Sequence, residues 1–256
     1  MNIHGWRAAL GAEARKAVAA RAMVGLTVAL VGGITVLSLV MIVAARRGRT
    51  DLTAKLGPIA DLPGWAGYLA AAQQITAAGT VLGFGVALSW LFGREFADRT
   101  VTGLLALPVT RPAIALAKLV TYAIWAVLIA TALTLALLGG GLAIGLGRPG
   151  RADWLIVGRE WALVALSALV AVPVGWVATL TRGLLGGIAA TVALIVSAQI
   201  VVLGAGAGGW FPVAAPALWA LAPGTVSWTQ LALAAALPLG FGFATLLSWQ
   251  RLQLDR

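Results

Sequence analysis

Long apolar runs alternate with short polar interruptions along the whole chain. Six of these runs are about 20 residues or longer, the length that a helix needs to cross a bilayer. We place the six spans, TM1 to TM6, at residues 22–45, 67–92, 119–142, 161–181, 184–203 and 228–249. Strands of a membrane barrel would instead alternate over about 10 residues. The pattern therefore predicts an all-α membrane protein with six transmembrane helices in a single domain covering residues 1–256.

The segments outside the spans are amphipathic or broken. In residues 1–21 the apolar side chains recur near one face, which predicts an interfacial helix; a plain basic flank is the alternative. That apolar face consists of Ile3, Trp6, Leu10, Ala14, Ala17 and Val18. Residues 204–223 combine a glycine run with three prolines, so we predict broken outer helices between TM5 and TM6. Pro173 predicts a kink in TM4.

A long charged and amphipathic interruption lies between TM2 and TM3. Residues 94–107 predict an amphipathic helix that begins with a charged cluster and ends before Pro108. Within this helix, Glu95 and Arg99 have the i,i+4 spacing of a stabilising ion pair. Lys118 lies at the mouth of TM3, where a long cationic side chain reaches lipid head groups. The segment is either a solvated loop with an interfacial helix or a docking element for a cytosolic partner.

Composition and charge support a membrane location. The chain is 61% hydrophobic and only 10% charged, whereas soluble domains are typically about 25% charged. Its net charge of +10 comes from cations at the ends of apolar runs, which fits lipid head groups and orientation better than nucleic acid. With the N-terminus in the cytoplasm, the inner segments hold 11 cations and the outer ones 7. This count favours cytoplasmic termini, although the cluster Arg46–Arg49 argues the other way.

The residues of the spans offer little chemistry. The single histidine, His4, precedes TM1, and no glycine-rich phosphate loop of the Walker type occurs. No acidic residue lies in the middle of a predicted span. Glu160, at the outer end of TM4, is interpreted as an interfacial ion pair with Arg159 rather than as an ion relay. We therefore predict no catalytic residue, metal ligand or cofactor site in this chain.

Polar and small residues inside the spans have two interpretations each. The polar side chains form interhelical hydrogen bonds or line a substrate pathway, and the sequence does not separate these uses. They are Gln73, Gln74, Thr76, Ser89, Thr121, Thr131, Thr134, Ser197 and Gln199. Gly183, Gly186, Gly187 and Ala190 allow helices to approach closely, within the bundle or at a dimer interface.

The segment Gly93–Lys118 resembles the cytoplasmic segment of ABC-2-type transporter permeases, the transmembrane subunits of ABC exporters. That family has a charged helix start, a threonine turn, a leucine-rich stretch, then Leu-Pro-Val-Ser/Thr-Arg and a downstream lysine. The matching residues here are Arg94–Glu95, Asp98–Arg99–Thr100, Leu104–Leu105, Leu107–Pro108–Val109–Thr110–Arg111 and Lys118. Val101 stands where many members have leucine, and Arg99 replaces a glycine that often precedes the threonine. The six-span layout extends the resemblance over the whole chain.

The resemblance implies that the segment 94–107 is a coupling helix that sits in a groove of a cytosolic ATPase. The implied coupling residues are Arg94, Glu95, Phe96, Asp98, Arg99, Thr100, Leu104, Leu105, Pro108 and Arg111. It further implies two ABC ATPase subunits, which bind the ATP and Mg²⁺, and a second permease copy or a homologous permease. The expected activity is export of an apolar or amphipathic substrate, such as a drug, an antibiotic or a lipid, across a bacterial cytoplasmic membrane.

Two other classes of function remain as alternatives. The first is a stand-alone channel or membrane scaffold, which would be recovered without an ATPase. The second is an intramembrane lipid-modifying enzyme, which needs clustered acidic residues or histidines at one membrane face, and the sequence lacks such a cluster.

Overall fold

A computed structural model describes residues 3–47, 59, 62–105, 108–204 and 208–253. This part of the chain contains six helices that are long and apolar enough to cross a membrane, which confirms the predicted all-α membrane fold. TM1 to TM6 are Arg21–Arg46, Gly64–Ala97, Arg111–Ala143, Arg151–Leu180, Leu184–Leu203 and Trp228–Gln250. Outside them lie an N-terminal helix, Ile3–Ala19, a short helix, Val101–Leu105, and two outer pieces, Gly208–Trp210 and Ala215–Leu221.

Three spans are longer than the apolar pattern indicates. TM2 continues to Ala97, TM3 begins at Arg111 and TM4 begins at Arg151. Helical hydrogen bonds do not stop where the bilayer stops, so a helix extends through charged residues that water or partners solvate. The predicted single helix over 94–107 is therefore wrong: its first turn is the end of TM2, and the rest is a turn followed by the short helix. Residues 106 and 107 of that prediction lie outside the described part.

Two spans contain irregular turns. TM4 is interrupted at Val172, directly before Pro173, because proline has no N–H to donate and its ring clashes with the preceding turn. This is the predicted kink. TM1 contains a π-helical turn at Val28–Gly33, where two consecutive glycines lower the cost of the wider turn.

TM2 is the central helix of the bundle. It packs against TM1, TM3, TM4 and TM5. In its most apolar stretch of 18 residues, 61% are buried. Its approach to TM5 depends on glycine. A Cβ atom on Gly93 would lie 2.7 Å from the backbone carbon of Gly183, and one on Gly187 would lie 2.4 Å from the hydroxyl of Ser89. Gly93 and Gly187 therefore serve close helix packing, and for Gly187 this is one of the two uses that the sequence left open.

TM5 is the least enclosed span. Its two buried residues are Gly187 and Thr191, and both face TM2. Large apolar side chains cover the rest of its surface. In its most apolar stretch of 18 residues, only 11% are buried. Most of this helix is therefore available to lipid or to another protein chain.

We expect Gly93→Ala to destabilise the bundle by about 1–3 kcal/mol, the usual cost of overpacking. The added methyl group meets the backbone of Gly183, which cannot rotate away as a side chain would. The matched control is Gly139→Ala, because Gly139 also lies inside a helix but has open space around its Cβ position. Thermal unfolding in detergent checks both variants, and equal unfolding temperatures for them would contradict the proposed close contact.

Candidate functional site

Charged and polar elements collect at one end of the bundle. The N-terminal helix meets the end of TM2 there, because the ammonium of Lys16 lies 2.9 Å from a carboxylate oxygen of Glu95. The guanidinium of Arg111 donates to the carbonyl of Leu252, and Nη2 of Arg182 donates to the carbonyl of Gln253 at 2.9 Å. The two cationic side chains thereby hold the chain segment that follows TM6. Both described chain ends lie at this end of the bundle, as six spans require.

A network of four charged residues joins three helices at this end. Lys118 of TM3 lies 2.8 Å from Glu13 of the N-terminal helix and 3.0 Å from Glu95 of TM2. Lys16 bridges the same two carboxylates at 2.8 and 2.9 Å. Glu13, Glu95 and Lys118 are buried, whereas the side chain of Lys16 is 43% exposed. Two cations therefore balance two anions, and Lys16 leads from the network to the surface.

The network shifts the pKa values of Glu13 and Lys16 in favour of their charged forms. Burial alone would raise the pKa of the Glu13 carboxyl, but the charges and hydrogen bonds of Lys118 and Lys16 outweigh it and lower that pKa below its ordinary value of 4.5. Burial also opposes the charge on Lys16, yet hydrogen bonds and charges of Glu13 and Glu95 raise its pKa above the ordinary 10.5. Both groups are therefore charged around neutral pH.

Two sequence predictions about these residues are wrong. Glu95 does not pair with Arg99, because its carboxylate faces Lys16 and Lys118; the i,i+4 pair in this turn is Arg94 with Asp98, at 3.0 Å. Lys118 does not extend to lipid head groups, since only 1% of it is exposed. Spacing along one helix did not reveal the partners, because Glu95 and Lys118 pair with each other and with residues of the N-terminal helix.

The buried face of the N-terminal helix overlaps the predicted apolar one only in part. Ala9, Glu13 and Ala17 are buried, whereas Val18 is 80% exposed. The helix turns Glu13 inward because an ion pair with buried Lys118 offsets the cost of removing both charges from water. The centre of the packed face is therefore shifted from the apolar stripe toward Glu13.

TM2 ends in a left-handed turn that points Arg99 outward. The amide of Thr100 donates to the carbonyl of Glu95 at 2.9 Å, and the amide of Arg99 donates to the carbonyl of Phe96 at 3.3 Å. This is the Schellman pattern, in which the residue after the helix usually is glycine. Here Arg99 holds that position with φ of 55°, in the left-handed region that L-residues enter at a cost. Arg182, at the turn between TM4 and TM5, has the same conformation with φ of 52°.

The predicted coupling residues divide into outward and inward groups. The exposed ones are Arg94, Asp98, Arg99, Thr100, Pro108 and Arg111. Glu95 is buried, and Phe96 and Leu104 are half-buried. The ring of Phe96 lies 6.3 Å from that of Trp249 on TM6, centroid to centroid. Leu105 is the last residue of the short helix. The outward group is placed to contact another molecule directly, and half-buried Leu104 offers part of its surface.

A cavity of about 340 Å³ separates the short helix from the ion network. Its walls are formed by Trp90 and Leu91 of TM2, by Gly103 and Leu104 of the short helix, and by the four charged residues of the network. The connection between TM2 and TM3 is thus not packed tightly onto the bundle beneath it.

Glu160 is a further buried acid, well away from the network. Its side chain is fully buried, and one carboxylate oxygen accepts a hydrogen bond of 2.6 Å from the hydroxyl of Thr76 on TM2. The predicted ion pair with Arg159 is wrong, because that guanidinium lies over the ring of Trp219, 5.6 Å from its centre. The sequence placed Glu160 at a helix end because the apolar run begins only at residue 161, whereas the helix begins at Arg151.

The described residues hold no group of three or more histidine, cysteine or acidic side chains arranged for a metal ion. Each carboxylate of the four-residue network pairs with both lysines, although Oε2 of Glu95 is buried without a hydrogen-bond partner. The network holds three helices together.

Six spans and a charged connection between TM2 and TM3 define a multi-pass membrane protein. The ABC-2 family transporter proteins match the chain over residues 65–199, more than half of its length, and the chain belongs to this family. No curated protein matches it. Permeases of this family are transport subunits that work with ABC ATPases and are typically dimeric.

We expect Glu95→Gln to lower the free energy of unfolding by about 3–5 kcal/mol, the usual cost of breaking a buried ion pair from one side. The substitution leaves Glu13 as the only carboxylate facing both Lys16 and Lys118. Thermal unfolding in detergent measures the effect.

The matched control is Asp98→Asn, which removes an exposed ion pair one turn away and should change stability by less than about 1 kcal/mol. A Glu95→Gln variant as stable as this control would show that the network does not stabilise the bundle.

Proposed function

We propose that the chain is the permease subunit of an ATP-driven exporter, coupled to cytosolic ATPases through the connection between TM2 and TM3. One observation carries this proposal. The connection presents an outward turn, Asp98–Arg99–Thr100, and an adjoining short helix on top of an ion network that ties TM2 to TM3 and to the N-terminal helix. A partner that moves this connection therefore moves three helices together.

The surface of the connection suits a protein partner. Arg99 extends its guanidinium outward, because the left-handed turn directs its side chain away from the helix, and Arg94, Asp98 and Arg111 add exposed charges. Leu104 is only half-buried and adds apolar area beside the charges. Charges confer orientation and specificity on an interface, whereas apolar area contributes more of the affinity. Glu95 and Phe96 support this surface from beneath rather than contact the ATPase.

The mechanism follows from how this end of the bundle is connected. ATP and Mg²⁺ bind to the ATPase, whose closure pushes on the turn at Arg99. Because Glu95 and Lys118 pair with each other, and each also pairs with a residue of the N-terminal helix, TM2 and TM3 shift with that helix instead of separating from it. TM5 follows TM2, since their backbones touch at Gly93 and Gly183. The transport step is a change between two packed states of the bundle, driven by the partner's differential affinity for them.

A second copy of the chain, or a homologous permease, covers the face formed by TM2 and TM5. Gln74 and Gln199 are both exposed on this face although they lie inside spans. They line one cavity of about 190 Å³, whose other walls come from TM5 and from the outer helix Ala215–Leu221. An amide that faces lipid is costly, so these side chains favour a protein partner or a substrate. We assign this face to the permease dimer and its pathway.

The remaining parts of the proposal come from the family. The end of the bundle that holds both termini lies in the cytoplasm of a bacterial cell, and the chain resides in the cytoplasmic membrane among its lipids. The substrate is apolar or amphipathic, such as a drug, an antibiotic or a lipid, because the walls of the cavity between TM2 and TM5 are apolar apart from the amides of Gln74 and Gln199.

The coupling assignment predicts that Arg99→Gly separates stability from partner binding. Glycine adopts the left-handed turn without strain, so the unfolding temperature should rise or stay unchanged. The free energy of unfolding should increase by at most about 1 kcal/mol. Loss of a charge-assisted contact should weaken ATPase binding by about tenfold or more. Recovery of the ATPase with the solubilised chain, followed by mass spectrometry, measures binding, and unfolding in detergent measures stability.

Charge reversal sharpens this test. Arg99→Glu should abolish recovery of the ATPase, whereas Arg99→Lys should retain most of it. The control is Arg148→Glu, which should leave recovery unchanged because Arg148 is exposed at the opposite end of the bundle. Normal recovery with Arg99→Glu would exclude this turn as the docking site. Recovery of the wild-type chain without any ATPase would instead favour the stand-alone channel or scaffold.

The dimer assignment predicts disulfide formation between copies through TM5. The chain contains no cysteine, so each single-cysteine variant reports one position only. We expect oxidation in membranes to cross-link at least one of the exposed TM5 positions Ile188, Val192, Val196 and Ile200 when each is replaced by cysteine. Leu135→Cys on TM3, which is equally exposed, is the control and should remain monomeric on denaturing gels. Cross-linking of the control alone would move the interface to TM3.

A further inference from the structure

Glu160 lies within the bundle rather than at its surface. It follows the first residue of TM4 by nine positions, which is about 14 Å along a helix that rises 1.5 Å per residue. None of its surface is exposed. Oε1 accepts the hydrogen bond from Thr76, and Oε2 is enclosed without any hydrogen-bond partner. The carboxyl group therefore has one neutral donor and one oxygen that nothing in its surroundings satisfies.

No cation faces this carboxyl group from the described part of the helices packed around it. TM2 contributes Tyr68, which lies within electrostatic reach and whose buried hydroxyl also has no partner. TM3 contributes Tyr122, whose hydroxyl donates instead to the carbonyl of Ala168, two turns further along TM4. TM6 and the outer helix Ala215–Leu221 contribute no titratable side chain along their lengths. On TM4 itself, Arg159 turns away toward Trp219.

An ionised carboxylate in such a place would be uncompensated. The cost of an unpaired buried charge is several kcal/mol even after the protein relaxes, and one hydroxyl donor does not repay it. The contrast with Glu13 and Glu95 is direct, because each of those acids has two lysines within 3.0 Å. A proton on Oε2 removes the charge and leaves Oε1 free to accept from Thr76.

We propose that Glu160 is a proton-binding site: its carboxyl group carries a proton while TM2 and TM4 are packed together, and releases it to water when the two helices part. The ligand is the proton itself. Release breaks the O–H bond on Oε2 and transfers the proton to a water molecule, leaving a carboxylate that the separated helices expose. Thr76 positions the carboxyl group from TM2, so proton occupancy and helix contact depend on each other.

The proton site deepens the proposed export function, and its role in the transport cycle rests on that function. If TM2 moves under the ATPase, proton release accompanies the step in which TM2 leaves TM4. The presence of the proton, however, is a property of the permease alone. The test therefore uses the full chain in lipid nanodiscs without an ATPase, so that failure of the coupling assignment does not affect it.

Infrared spectroscopy detects the carbonyl stretch of a protonated carboxylic acid, which shifts in heavy water. We expect this band in the wild-type chain at neutral pH and its loss in Glu160→Gln, whose amide has the same shape and no charge. Asp153→Asn is the matched control, since Asp153 lies on the same helix near the surface and accepts from the amide of Gly150. This control should keep the band. Thr76→Val should keep the band but shift its frequency, because the carbonyl loses its donor.

Three results would overturn the proposal. They are the absence of a protonated-acid band in the wild-type chain, an unchanged band in Glu160→Gln, and removal of the band by sodium or potassium ions at constant pH. The last result would identify a monovalent cation as the ligand. Wild-type and Glu160→Gln chains that unfold at similar temperatures confirm that the spectra compare folded proteins.

Discussion

The constraint on which this structure depends is that a charge or a hydrogen-bonding group away from water needs a partner inside the protein. The four-residue network at one end of the bundle satisfies it with two lysines and two glutamates from three helices. Removing any one member would leave an unpaired charge, so the N-terminal helix, TM2 and TM3 are held in one arrangement. The same constraint distinguishes Glu160, a buried acid that has a hydroxyl donor but no lysine beside it, and we propose that a proton neutralises it.

TM2 connects the separate parts of the molecule. Its last turn carries Glu95 in the network and leads directly into the turn at Arg99. The two turns before it lie close to Gly183 and Gly187, through Gly93 and Ser89. Its first half presents Thr76 to Glu160 and Gln74 to the TM2–TM5 cavity. A movement of the turn at Arg99 therefore reaches both faces of this helix without passing through a loop. Under the proposed export function, this continuity transmits the movement of a docked ATPase into the bundle.

The sequence predicted the helix content, the six spans and the breaks at Pro173 and in the outer segment, because these depend on apolar length and on proline chemistry. It also located the charged connection. The errors share one cause. The pattern of a single segment shows neither where a helix ends in charged residues nor which side chain of another helix lies opposite. Thus the predicted partner of Glu95 was Arg99 and that of Glu160 was Arg159, each the nearest candidate along the chain. The predicted partner of Lys118 was a lipid head group at the membrane surface.

By itself, the sequence determined that this protein lies in a membrane, how many times it crosses, and which connection carries charge, since each follows from local composition and the cost of exposing a peptide group to lipid. Only the tertiary structure decided which charges are paired, which face of the N-terminal helix is buried and which acid is left without a cation. Pairing energies depend on distance and on exclusion of water, and both arise only when helices distant in sequence are packed together.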